Sequence, residues 1–223
     1  MIPVLRDVEQ NHRSWLARGR ETIELEGVTL CLGETSATLA FPRSDGDVAT
    51  AVRTAVEHGV SEVGCWALAP DERLGPRLLA LGFQDGWQPH WMGLEPTPRL
   101  ELSPGAVEQS DACSSELPYG HGRALSDVAG HFVAREGEEL VGHVALHVEG
   151  QSGGIYDMGV APHARRRGHG TALTLAAVTD AHRLGCSTVT LNATGEGEPL
   201  YRSVGFTSLG YGMTWWLFPR RCR

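Results

Sequence analysis

The sequence predicts an α/β (α+β) chain made of two related halves. Three observations carry that expectation. Helical and strand-like patterns alternate from end to end, a helix–strand block recurs 126 residues further on, and a proline-rich stretch lies between the two occurrences. At 223 residues the chain is long enough for one large domain or two small ones, each with a core of its own.

The first half opens on a helix over Val4–Gly19 that carries Leu5, Val8, Trp15 and Leu16. Short apolar runs then predict strands at Thr22–Glu26, Val28–Leu32 and Ala37–Phe41. A helix over Asp47–His58 starts at a capping residue and stops at Gly59. Glu62–Ala67 reads as a strand, Arg73–Leu81 as a helix, and His90–Leu94 as the last strand of this half. Pro96, Pro98, Pro104 and Pro118 mark a linker or crossing loop. The expected division is therefore 1–95, a linker over 96–118, and 119–223.

The second half repeats the order. His131–Arg135 and Leu140–Val148 alternate like a hairpin turned at Glu136–Gly137–Glu138. Gly154–Val160 is a strand, Gly168–Leu184 a long helix ended by Gly185, and Ser187–Ala193 a strand. Pro199–Val204 is a short helix and Tyr211–Phe218 a closing strand. Setting residues 50–67 over 176–193 leaves seven of eighteen positions identical, Ala51/Ala177, Gly59/Gly185 and Val63/Val189 among them. With three residues deleted the match continues through Gly82/Gly205, Phe83/Phe206 and Leu94/Leu217.

Composition narrows the function. A formal net charge of -8 argues against a surface that coats nucleic acid. No run is long and apolar enough to cross a bilayer, and residues 1–20 lack the apolar core of a signal peptide. The five cysteines are scattered, with no Cys-x-x-Cys pair, and the ten histidines lack metal-ligand spacing. A cytoplasmic, reduced protein without a metal is the expectation, acting on no membrane and no nucleic acid, as a monomer or homodimer.

The strongest local signal runs from Tyr156 to Thr171. A strand ends at Val160, Pro162 turns the chain, Arg165, Arg166 and Arg167 follow, and Gly168 and Gly170 flank His169 where a helix opens. Glycines there leave the first helical N–H groups unobstructed, and these groups with the positive end of the helix dipole suit a pyrophosphate. The arginines add charge and fork geometry. A third glycine at the dinucleotide spacing is missing, and so is a Gly-Lys-Ser/Thr.

The run Val160-x-Pro162-x-x-Arg165-x-x-Gly168-x-Gly170 resembles the acetyl-CoA motif of the GNAT acyltransferase superfamily. Leu200-Tyr201-Arg202-Ser203-Val204-Gly205-Phe206 is similar to that superfamily's second signature, and the resemblance covers roughly residues 120–217. It implies, for each half, a mixed and mostly antiparallel sheet flanked by helices. It also implies a tandem arrangement with a degenerate first copy, because Phe41-Pro42-Arg43-Ser44-Asp45-Gly46 stands where the motif would be and Leu78 where Tyr201 would be.

Carried over, the resemblance gives Arg165, Arg166, Arg167, Gly168, His169, Gly170 and Thr171 the CoA pyrophosphate. The backbone of Met158, Gly159 and Val160 receives the pantetheine arm like an added strand. Where the superfamily often has an asparagine before the Leu-Tyr pair, this sequence has Thr194, with Asn192 nearby. The implied reaction is direct transfer of acetyl from acetyl-CoA, as co-substrate, to an amine. Tyr201 is the candidate acid. The base is Tyr156, by position, or Asp157, by chemistry, and a bulge in that strand decides between them. A relay through water from His143 or His147 is a further option. Glu196 and Glu198, in a glycine-rich loop, read chiefly as solvated. The acceptor is expected to be a small-molecule primary amine, with the first half covering one side of its cleft and binding no CoA. The other functions considered are a non-catalytic acyl-CoA sensor or scaffold and a protein N-acetyltransferase.

Overall fold

Capping residues, apolar stripes and strand alternation set the elements one by one. The computed structural model describes residues 2–96, 107–110 and 128–219. The first series is α1 (Leu5–Ala17), β1 (Glu21–Leu25), β2 (Val28–Leu32), β3 (Ser36–Ala40), α2 (Val48–Glu57), β4 (Glu62–Ala67), α3 (Leu74–Ala80), β5 (Gln84–Asp85) and β6 (His90–Leu94). The second is β7 (Glu108–Gln109), β8 (Gly130–Glu136), β9 (Glu139–Glu149), β10 (Ser152–Val160), α4 (His169–Arg183), β11 (Thr188–Ala193), α5 (Glu198–Val204), β12 (Thr207–Tyr211) and β13 (Met213–Leu217). Three strands beyond the expected set are present. β5 and β7 are two residues long, too short for a period, and β12 has no buried face to leave an alternation.

The chain divides into two compact units, one of Met1–Asn11 and Trp91–Leu209, the other of His12–His90 and Gly210–Arg223. Most of the expected linker, 96–118, lies outside the described residues; within it Glu108–Gln109 pairs with β8.

The first unit holds a mixed sheet in the order β12-β6-β11-β10-β9-β8-β7. β7 to β10 run antiparallel in succession, and β10 and β11 run parallel. A parallel pair needs a long crossover, and α4 supplies it. The stripe Leu173, Ala177 and Ala181 of α4 packs on Val144, Leu146, Ile155 and Val189 to make the core.

The second unit repeats the plan in the order β1-β2-β3-β4-β13-β5. β1, β2 and β3 are antiparallel and β3 runs parallel to β4, with α2 as crossover. Leu30, Leu39, Ala51, Ala55, Val63, Leu74 and Leu78 fill its core.

The chain path departs from the expected one at the final strands. β6 and β13 hold matching places in the repeat, yet each lies in the sheet built mostly from the other sequence half. Period-two patterning marks both as strands but carries no information about their partners. Each unit is therefore assembled from both sequence halves. Among the described residues no helix is long and apolar enough to cross a membrane.

Candidate active site

The site is built on β10, which changes character halfway along. Its N-terminal part pairs with β11 from Ser152↔Thr188 to Ile155↔Leu191, and beyond that pair the two strands part. On its other edge β10 stays paired with β9, but the register shifts between Tyr156 (opposite Ala145) and Gly159 (opposite His143). Three residues of β10 advance there against two of β9, which is a bulge. Asp157 sits in it with φ at 47°, a left-handed conformation rare for a residue with a side chain. Among the described residues, the edge of β10 that faces β11 from Met158 to Val160 thus carries backbone groups without a neighbouring strand, on a stretch aimed by the bulge.

After Val160 the chain makes a short 3-10 turn at Pro162–Ala164 and passes to the arginines. Arg165 donates through Nε to the Val160 carbonyl at 3.1 Å and through Nη1 to Glu196 at 3.5 Å. Arg166 is left-handed, with φ at 62°. Arg167 Nη1 donates to Glu136 Oε2 and His169 Nε2 meets Glu136 Oε1, each at 2.8 Å. The hydrogen bond from His169, with Arg167 beside it, holds the Glu136 carboxyl below its usual range. Glu139, on the same hairpin, lies 3.1 Å from His163 Nε2. Gly168 caps α4 at φ 90°, and a Cβ added there would meet nothing within 4 Å.

The first helical hydrogen bond of α4 runs from Ala172 N to Gly168 O at 3.0 Å. The N–H groups of His169, Gly170 and Thr171 therefore have no carbonyl of a preceding turn to bind. Those amides and the dipole they terminate face the exposed stretch Arg165–Gly168. Gly170 lets α5 approach: a Cβ there would stand 3.2 Å from Leu200 Cδ2 and 3.4 Å from Met158 Cε. The residues expected to hold a pyrophosphate, Arg165 to Thr171, are consecutive in space as in sequence.

Tyr201 projects from α5 towards the bulged strand, its hydroxyl 3.4 Å from Met158 Sδ. Burial pushes its phenol up to about 12. The Met158 thioether is a weak acceptor, which a stronger one can replace. Thr194 is engaged within its own loop, its Oγ1 and carbonyl both accepting from Gly197 N. Asn192 is half-buried on β11. His143 is wholly buried opposite Gly159, 5.8 Å from the His131 ring; His147 is half-buried, 6.3 Å from the Tyr156 ring. Glu198 pairs with Arg202 at 2.7 Å.

Tyr156 is buried, and burial raises its phenol well above the ordinary value. Its hydroxyl donates to Asn11 Oδ1 at 2.7 Å. Asn11, on α1, has no counterpart in the sequence reasoning. The signal was present: Val8, Asn11, His12, Trp15 and Leu16 form one buried helical stripe, so two polar residues stand where apolar ones belong.

Residues 97–206 match the family model described as acetyltransferase (GNAT) family. No curated protein sequence matches the chain. Among solved structures, a GCN5-related N-acetyltransferase from Kribbella flavida superposes with a TM-score of 0.70 at 15% identity, over 96% of each chain. A tandem GNAT protein from the clavulanic acid biosynthesis pathway gives 0.60 at 14% identity, over 89% of this chain and 80% of that one. A GCN5-related N-acetyltransferase from Sphaerobacter thermophilus gives 0.57 at 17% identity, over 86% and 76%. At such identities the structures speak for the fold, and the family model speaks for the sequence. Through residues 97–206 the chain is similar to the acetyltransferase (GNAT) family.

Proposed function

We propose that this protein moves an acetyl group from acetyl-CoA to a primary amine of a small molecule by direct transfer. The observation that carries the reading is the parting of β10 and β11 beside a helix N-terminus, with Tyr201 across from the exposed strand edge. A pantetheine arm adds to that edge through backbone hydrogen bonds, and the first turn of α4 with Arg165, Arg166 and Arg167 takes the pyrophosphate. Glu136 and Glu196 lie on two of those arginines at the surface, where ion pairs are weak and a doubly charged ligand displaces them.

The amine attacks the thioester carbonyl, whose oxygen is polarised by the strand N–H of Met158 or Val160. The proton leaves the amine for Asp157, directly or through water. The C–S bond breaks, and Tyr201 gives its proton to the departing thiolate. We assign the base to Asp157 and not to Tyr156, since a buried phenol that donates to Asn11 is poorly placed to accept.

A tandem arrangement with a degenerate first copy belongs to the same proposal. The second unit has the matching topology but closes its helix N-terminus with Asp47. Its test is free-thiol release from acetyl-CoA across a panel of small amines and peptide N-termini. Turnover with a small amine is the expected result. Acetyl-CoA binding with no thiol release from any acceptor would leave a sensor in place of an enzyme, and turnover confined to peptides would make it a protein acetyltransferase.

A further inference from the structure

We infer that Asn11 and Tyr156 form a positioning pair that fixes the bulge of β10, and with it the amides that meet the pantetheine end of acetyl-CoA. The inference rests on the acetyl-CoA reading above. Asn11 is fully buried, and its amide makes three hydrogen bonds at this one place. Its Nδ2 donates to the Ser152 carbonyl at 2.7 Å and the His147 carbonyl at 3.3 Å, while Oδ1 accepts from the Tyr156 hydroxyl. One side chain thereby ties α1 to β9 and to two points of β10. Gly154 makes the room, since a Cβ there would collide with Asn11 Oδ1 and the Tyr156 ring.

The tie ends one residue before the strained position. Asp157 follows Tyr156 at φ 47°, and the strand resumes its register at Gly159 opposite His143. A left-handed residue with a side chain persists only where its surroundings over-determine it. Tyr156 is one anchor and Gly159 the other, so the two residues between them have little freedom. The direction of the Met158–Val160 amides then depends on the Tyr156 hydroxyl. The pyrophosphate loop begins at Arg165, beyond the second anchor and a proline turn. It touches this strand through the Arg165 Nε bond to the Val160 carbonyl, at the end that β9 holds, and so depends on the bulge less than the amides do.

That separation supplies the test. The full chain and its Tyr156→Phe variant are titrated with acetyl-CoA and with adenosine 3′-phosphate 5′-diphosphate, which has the pyrophosphate and lacks the pantetheine. Loss of one buried hydrogen bond predicts acetyl-CoA affinity down about three- to tenfold in the variant, with nucleotide affinity unchanged. The pH–rate profile keeps its shape, because the hydroxyl holds a strand and exchanges no proton. Equal weakening of both ligands, or no change in either beside a lowered melting temperature, makes the pair a stabilising contact only and overturns the inference. A wild-type chain that binds neither ligand sinks the acetyl-CoA reading and the pair together, an outcome distinct from failure of the pair alone.

Discussion

The two crossover helices, α4 and α2, start from the same kind of strand and end in opposite chemistry. Ser36 pairs with Glu62 as Ser152 pairs with Thr188, so Ala40 and Tyr156 hold corresponding places. Each is followed by a left-handed residue, Phe41 at φ 51° and Asp157 at φ 47°. From there the paths diverge: Tyr156 to the repeat alanine Ala177 is 21 residues, while Ala40 to Ala51 is 11. Of the ten residues by which the second unit is shorter, three fall on the strand beyond the bulge, two on the loop and five on the start of the helix. What remains is sealed, with Asp47 Oδ1 accepting from Thr50 N at 3.0 Å and Arg77 donating to the Ser44 and Gly46 carbonyls at 2.7 Å each. On the proposed reading a shared sheet topology does not by itself confer an anion site; an open helix N-terminus and the loop before it do, and a single carboxylate on the helix amides closes it.

The sharpest way to break this contrast is to give α4 the cap of α2. Gly168→Asp places a carboxylate at the N-cap of α4, with Gly168→Asn as a neutral control of the same shape. Two unit charges about 4 Å apart near a protein surface repel by about 4 kcal/mol. Calorimetry should show acetyl-CoA affinity reduced on the order of 10³-fold for Asp. The asparagine variant should lose far less, because its amide tolerates the left-handed cap and adds no charge. Equal losses in the two variants would mean that the backbone, and not the open positive helix end, controls binding.

A second contrast sets Tyr201 against Leu78, the fully buried residue at the matching place in α3. Tyr201→Phe should lower kcat about 10²-fold, the scale of a lost general acid, with the KM for acetyl-CoA little changed. Burial pushes the Tyr201 phenol up to about 12, so the wild-type rate should show no falling alkaline limb from this group below about pH 11. A limb near pH 8 or 9 that vanishes in Tyr201→Phe would contradict that burial. An unchanged kcat would reduce Tyr201 to a packing residue like its counterpart.

Much of this was legible in the sequence because local chemistry wrote it there. Val28–Leu32, Glu62–Ala67 and His90–Leu94 read as strands over the residues they occupy. The helix starting beside Gly168 followed from Gly168 and Gly170 at its opening, the apolar stripe from Leu173 to Leu184 and Gly185 at its end. Strand exchange was not legible, since β6 and β13 are interchangeable by pattern and only long-range pairing chooses their sheets. The bulge was open as a question but not its conformation, because no residue type demands a left-handed aspartate. Asn11 is unmarked by residue type, because an asparagine on a helix reads as a solvated position and only its burial distinguishes it. The asparagine donates to carbonyls of Ser152 and His147, and nothing in a sequence separated by more than 130 residues announces that meeting.

The smallest expected effect tests the sealed helix. Hydrogen bonds from Thr50 hold the Asp47 carboxyl below its ordinary value of 3.8. A carboxyl with a lowered folded value stabilises fully above its unfolded value, and that contribution is lost as pH falls through the folded one. Asp47→Ala should therefore lower the melting temperature by about 2–5 °C at pH 7, the scale of a lost N-cap. The gap between variant and wild type should narrow below about pH 4, as the wild-type cap itself becomes protonated. Stoichiometry should stay at one acetyl-CoA per chain in the variant, since uncapping α2 does not restore the ten missing residues. A second bound acetyl-CoA in Asp47→Ala would show that the cap alone had closed the site, and that the shorter loop still holds what a pyrophosphate needs.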